Sequence, residues 1–545
     1  MEFHARTAAE LLTARDAVRA LPRPWREDAV ITVHGEIVLD ATLQLGPDDS
    51  GRDGHRVRWC GVDGAQLGSA VAVGPWRLHD AQRNLWCAPA PDIRYFRQLW
   101  ADGRRLTRVR SRGNPGWMVN ERGYCRTQIE RWRNLRDIEV VTQADWKQFR
   151  GLVHTVDNDV GYGHDCVLMT QPYWANSQLH PPWIAGVPAW IENAFELLGD
   201  PGQWYLDRTA ATVWYVPLQG EDPAAMRFTA PRLDRLLEAE GLCDCTFENL
   251  AFTDATWRWE DLNSGFCEVQ SGTRILGGPW KDFDATRDHW QHLPACLQFS
   301  HGRGLRFASC TFTRLGGAGL HLSRGSQGCA VEDCTFHDIS ASALVLGRPE
   351  DHHPAEADAI VGNRVFRNRI HHCAAEYRSC AALLAYWVGD TVIEHNELSE
   401  QPYTGISIGW GWGFKDATPT VQRGNRICGN RVHRCMLDLH DGAAIYSLSA
   451  QPGQVISGNW IDGWSGVGIY LDNGSRFVRV EGNVVTGLYE SVSAQNEPNS
   501  DNDIAGNWFA GRIHARASNQ VGANVILADG PLPPQAQAIC TASGR

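Results

Sequence analysis

The stretch "GVGIYLDNGSR", residues 466–476, repeats "GAAIYSL", residues 442–448, with Ile445 and Tyr446 returning 24 residues later as Ile469 and Tyr470. Working outward, a short phrase of small residues, then Asn or Cys, then an apolar alternation recurs from about residue 240. It reads "EDCTF" at Cys334, "FRNRI" at Asn368, "EHNEL" at Asn396, "CGNRV" at Asn430, "SGNWI" at Asn459, "EGNVV" at Asn483 and "AGNWF" at Asn507. Cys310 to Cys334 is 24 residues, as are the last two steps, and the others are 34, 28, 34 and 29, a period near 24 with loops inserted. Apolar alternation with Gly/Asn punctuation and no helical periodicity at that period fits one turn of a parallel β-helix. A leucine-rich repeat needs a Leu pattern that is absent, and propeller blades are longer. A recurring turn Asn can stack its amide on the next rung and tolerates left-handed backbone. The expectation is an all-β chain, a right-handed parallel β-helix over 233–545. Residues 1–75 would cap and start it, with a helix in "TAAELLTARDAVRAL" and strands in "AVITVHGEIVLD" and "RVRWCGV". Residues 76–232, irregular and Trp-rich, would form an accessory β domain with a hairpin at "WYLDRTAATVWYVP".

With 545 residues, 43% of them hydrophobic and 10% aromatic, the chain can bury a large core. No segment has the apolar length to cross a bilayer and the first twenty residues carry no export pattern, so a cytoplasmic protein without a membrane partner is expected. The formal charge of −12 and the lack of a basic block with interleaved aromatics argue against nucleic acid. The 16 cysteines lack a dense framework and read as buried thiols, with Cys243 and Cys245 too isolated for a zinc site. No cofactor is expected; Asp and Asn oxygens could hold calcium, but no EF-hand spacing occurs. The oligomeric state is not legible. The 23 tryptophans suit stacking on sugar rings, although core packing is their common role.

Aligning the rungs places Ile406, Ile445 and Ile469 inward, and Ser407, Tyr446 and Tyr470 outward on one exposed face, with Asp472 beside Gly409. The rung of Asn430 carries about five extra residues, around "LDLHD". Glycines in "GISIGWGWGFKD" (405–416) would let a ligand approach the backbone, with Trp410 or Trp412 as a stacking wall or, alternatively, as a cover on the core. Glycoside hydrolysis needs two carboxyl groups flanking the bond. Asp472 and Asp441 are the best pair, with Asp438, His440, Glu490 and Asp416 in reserve, and Tyr403, His440, Tyr446 and Tyr470 join the two tryptophans as expected substrate contacts. Strict register sets the aspartates roughly 20 Å apart, so the pair works only if the insert folds back. The structural alternative makes Asp441-Gly a turn and Asp472 a strand terminator.

The segments "HNELSEQPYTGISIGWGWG", "DLHDGAAIYSLSAQPGQVISGNWI" and "GIYLDNGS" resemble the motifs of β-helical glycosidases of glycoside hydrolase family 141 and its relatives. Weaker likeness runs upstream through "AFTDATWRWEDLNSGFCEVQSG", "ENAFELLGDPGQWYLD" and "LWADGRRLTRVRSRG". The resemblance implies a β-helix with an accessory β domain and activity on glycosides, the family including α-L-fucosidase and xylan-cleaving enzymes. It also implies that Asp441 and Asp472 are the catalytic aspartates. The chain departs from the family at Ala443, where a second Gly is common, and at Asn473, where an acid follows. The substrate expected is an oligosaccharide or small glycoside with a fucose- or xylose-like terminal sugar. A polysaccharide lyase using Lys415 as base and a non-catalytic carbohydrate-binding β-helix are the competing readings.

Overall fold

A computed structural model describes the chain except residues 94, 126–128, 130, 160–163, 260–261, 413–419 and 464. It forms two compact units, one of Met1–Ser69, Arg235–Thr253 and Leu293–Arg545, the other of Ala70–Asp234 and Asp254–His292. The second thus takes a later excursion, Asp254–His292, that the sequence reading assigned to the β-helix.

The first unit is a coil of parallel strands whose rungs stack in three ladders. In one, Phe247, Phe307, Val331, Val365, Ile393 and Ile427 pair rung on rung and continue to Ile504. In the second, Phe312, Phe336, Ile370, Leu398, Val432 and Ile461 do the same to Phe509. The third carries Leu297, Leu320, Leu344, Leu383, Ile406, Ile445, Ile469 and Val492. These side chains are buried and fill the coil with β-branched, leucine and phenylalanine groups, each worth roughly 2 kcal/mol in transfer from water. Where phenylalanines meet along a ladder they stack, Phe312 on Phe336 at 4.4 Å between centroids, whereas Phe299 and Phe307 of different ladders meet edge-on.

An asparagine ladder joins the first two sets of strands. The backbone N–H of Asn368 donates to Asn396 Oδ1 at 2.9 Å, and the pattern repeats through Asn430, Asn459, Asn483 and Asn507. Each Nδ2 donates to the same oxygen, 2.9 Å from Asn396 to Asn430. Cys334 and Cys310 hold the equivalent place upstream: Cys334 N–H donates to Asn368 Oδ1 and Cys310 N–H to Cys334 Sγ. All sixteen cysteines are free thiols.

Helix α1 (Ala8–Arg19) begins with Thr7 Oγ1 accepting from Glu10 N–H and buries Leu11, Ala14 and Val18. The strands Ala29–Val38 and Val57–Gly68 follow as expected. A second helix, α2 (Pro534–Ala542), went unread in the sequence; its Ala536 and Cys540 pack on Val484 beside Trp460 and Trp508. The other unit is built of mainly antiparallel sheets and contains the expected hairpin, Gln203–Asp207 against Thr212–Tyr215 with Trp204 opposite Tyr215.

Candidate functional site

Four neighbouring strands of the third ladder build the site: β1 (Ile406–Ile408), β2 (Ala443–Ser447), β3 (Val467–Leu471) and β4 (Glu490–Ala494). Ser407, Tyr446 and Tyr470 pair across them, the register expected from the repeat. With Ile406, Ile445 and Ile469 inside, alternation turns the two tyrosines to the outer face. That face is not open. Ser407, Tyr446 and Tyr470 are 2, 2 and 6% exposed, and Asp472 is 5% exposed, so the acid sits in a buried recess rather than on a sheet surface. Ala443, Tyr446, Leu448 and Tyr470 form an apolar cluster with half-buried Trp412 against it.

Asp472 follows β3 directly, its N–H bonded to Ser447 O at 2.9 Å, which carries the rung's register one residue past the strand. Its carboxylate is held at both oxygens: Tyr446 hydroxyl donates to Oδ2 and Asn496 Nδ2 to Oδ1, the latter at 2.6 Å. Burial raises the pKa of Asp472, and the donors from Tyr446, Asn496, the Asn473 backbone and Tyr470 pull against that rise. Tyr446 is driven well above the ordinary phenol range by burial and by the neighbouring carboxylate. Tyr470 also rises, through burial first and then through Asp472 and Asp441.

Tyr470 bears on the distance problem posed by strict register. Both Asp472 and Asp441 raise its pKa, which sets Asp441 nearer the recess than extended chain would. The turn runs through Asp441, at φ 50°, and Gly442, where a Cβ would strike the Tyr403 ring and Thr404 Oγ1. Tyr403, fully buried, donates its hydroxyl to Asp441 O at 2.9 Å and pins the turn. Asp441 itself is exposed.

The remaining expected contacts separate. Trp410, 2% exposed, packs between Tyr386 and Trp412 at 4.9 Å from each, so it covers the core; Trp412 is the ring placed beside the two tyrosines. His440 is exposed in the turn before Asp441. Gly409 does not open the backbone to a ligand: at φ +88° its missing Cβ makes room for the Leu448 carbonyl of the next rung. Of the reserves, Asp438 is paired with Arg378, and Glu490 with Arg512 at 2.9 Å. Asp416 and Lys415 lie outside the described residues. Among the described residues no cluster of three or more His, Cys, Asp or Glu could hold a metal ion.

Asn496 was missed. It bridges Asp472 and the Tyr470 hydroxyl, 2.6 Å from each, and stands 24 residues after Asp472, one rung on. Stepping the repeat once past Asp472 finds it.

The class this architecture defines is the right-handed parallel β-helix. Residues 352–485 match the family model of the right-handed β-helix region. The chain is similar to a solved structure named glycoside hydrolase, with 22% identity, a TM-score of 0.78, and coverage of 98% of this chain and 93% of that one. It also aligns with XylC in complex with xylose at 10% identity and a TM-score of 0.49, covering 97% and 86% of the two chains. No curated protein matches the sequence.

Proposed function

We propose that the protein is a glycoside hydrolase acting on an oligosaccharide or small glycoside, with Asp441 and Asp472 as its two carboxyl groups. The observation that carries this reading is the buried Asp472 carboxylate held by Tyr446 and Asn496, with exposed Asp441 acting electrostatically on the adjacent Tyr470. Asp472 serves as the acid. Burial lifts its carboxyl, as a group that must hold a proton for the leaving oxygen requires, and Tyr446 and Asn496 fix its direction. Exposed Asp441 is the opposing carboxylate, attacking the anomeric carbon or activating water. Trp412 offers the sugar a stacking face beside Tyr446 and Tyr470. The likeness to a structure named glycoside hydrolase, along nearly the whole chain, supports the reaction class, and the resemblance to glycoside hydrolase family 141 supports a fucose- or xylose-like terminal sugar.

The test is sugar release from aryl glycosides of fucose, xylose, galactose and arabinose. Asp472→Asn is expected to lose about 100- to 10,000-fold on substrates with poor leaving groups and far less on dinitrophenyl glycosides, which depart without a proton. Asp441→Asn is expected to lose activity on both. Ultraviolet-absorbing unsaturated products from uronate polymers would instead indicate a lyase, and a fully active Asp472→Asn protein would remove that residue from the mechanism.

A further inference from the structure

The mainly antiparallel unit contains an open surface depression of about 510 Å³, remote in sequence from both aspartates and unused by the proposed chemistry. Trp132 and Leu135 supply its apolar wall. Trp132 is half-buried, so part of its ring is accessible.

The polar wall is built rather than incidental. Asn134 stands in left-handed backbone at φ 53°, and its Nδ2 donates to Tyr205 hydroxyl at 2.8 Å and Asp207 Oδ1 at 2.9 Å. Its Oδ1 accepts from Thr209 Oγ1 at 2.7 Å, so both side chains are fixed before any ligand arrives. Asp137, 8% exposed, is clamped by Arg208, whose Nε donates to Oδ2 at 2.9 Å and whose Nη2 donates to Oδ1. The Arg208 guanidinium lies 5.0 Å from the Tyr95 ring centroid, which holds its plane while its Nη1 is not engaged by Asp137. Arg136 is exposed and has no ion pair among the described residues.

Arg136 and Arg208 against Asp137 leave the pocket with one net positive charge. An aromatic face, fixed amide and hydroxyl groups, and guanidinium donors suit a sugar ring that carries a carboxylate, since arginine recognises carboxylates through paired hydrogen bonds. We propose that this pocket is a second carbohydrate site, selective for uronic-acid-containing oligosaccharides. Trp132 stacks on the sugar and Arg136 takes its carboxylate, while Asn134 Oδ1 and Thr209 Oγ1, their hydrogens committed within the wall, are left to accept from its hydroxyls. The site stands apart from the hydrolase reading, because neither Asp441 nor Asp472 takes part in it.

Calorimetric titration of the Asp472→Asn protein with digalacturonate, galactobiose and sulfate tests the assignment, and the removal of Asp472 prevents turnover from confusing the heats. Saturable binding of digalacturonate is expected, with galactobiose weaker by about tenfold or more and sulfate unable to compete. Arg136→Gln, an exposed substitution that leaves the fold intact, is expected to weaken digalacturonate by about tenfold or more, and Trp132→Ala to weaken both sugars. Absence of saturable binding, equal affinity for the two sugars, competition by sulfate, or affinity retained in both variants would each overturn the proposal. Activity of the Arg136→Gln protein on aryl glycosides is read alongside, and its persistence separates failure of this pocket from failure of the hydrolase.

Discussion

At the scale of single residues, burial sets the behaviour of Asp472. Its folded pKa is raised above the unfolded value, so the native state holds the proton more tightly. The stability that comes from that proton is complete below about pH 3.9 and is lost as pH rises through the folded pKa. Ionised Asp472 is therefore a cost the fold carries at neutral pH, and Asp472→Asn is expected to unfold at a higher temperature than the wild type at pH 7. Melting curves from pH 4 to 7 should show the advantage shrinking as the pH falls. His321 has the opposite sign. It is 7% exposed, donates Nε2 to Gly347 O at 2.7 Å, and is pushed by burial to a pKa of about 4. Its contribution is complete above the unfolded value near 6.5 and declines as the pH falls towards 4, by up to about 3 kcal/mol. Urea titrations of His321→Gln should show the gap between wild type and variant narrowing over that window. Asp472, Tyr446 and Tyr470 were legible in register because one alignment of rungs places them, whereas Asp441, in the insert, was singled out as catalytic by the family resemblance. The burial of Asp472, Tyr446 and Tyr470 was not, because alternation says which side a residue faces and nothing about what covers that side.

At the scale of the element, the asparagine ladder supplies register as well as hydrogen bonds. Asn430 Oδ1 accepts from both the N–H and the Nδ2 of Asn396, while its own Nδ2 donates to Ile393 O at 2.9 Å and to Asn459 Oδ1 at 3.0 Å. Asn430→Ala leaves donors and acceptors of two rungs unsatisfied in a dry interior. A loss of about 2 to 4 kcal/mol is expected, measured as a lower urea midpoint with little change in slope. Asn507→Ala should cost less, since its partner Asn524 is only partly buried and solvent can replace it. The ladder was visible in the sequence because a turn Asn serves a single purpose here. The roughly 20 Å figure assumes extended chain, whereas Asp441-Gly442 is a turn tied by the Tyr403 hydroxyl, which residue counting does not foresee.

At the scale of the whole molecule, helix α2 lies along the flank of the coil, over outward side chains of the second ladder, and not over its last rung, where Val525 and Ile526 stay exposed. Removing residues 531–545 takes α2 away and uncovers Val484, which it buries together with Ala536 and Cys540, and bares more of Trp460 and Trp508. The truncated chain is expected to self-associate, seen as a shift to larger species on size-exclusion chromatography, while the full chain elutes unchanged. Helix α1 could be read from Thr7, Glu10 and the spacing of Leu11, Ala14 and Val18. Helix α2 could not, since it is short and follows a proline-rich run, and the excursion Asp254–His292 breaks the repeat without announcing a return.

The uneven steps between ladder residues, 24, 34, 28, 34, 29, 24 and 24, have a practical consequence. Up to ten residues enter a rung without moving any strand from its pairing partner, because the ladder fixes register independently of what lies between. The corners thus behave as cassette sites, where loops of altered length and composition can be exchanged in a library while the scaffold stays constant.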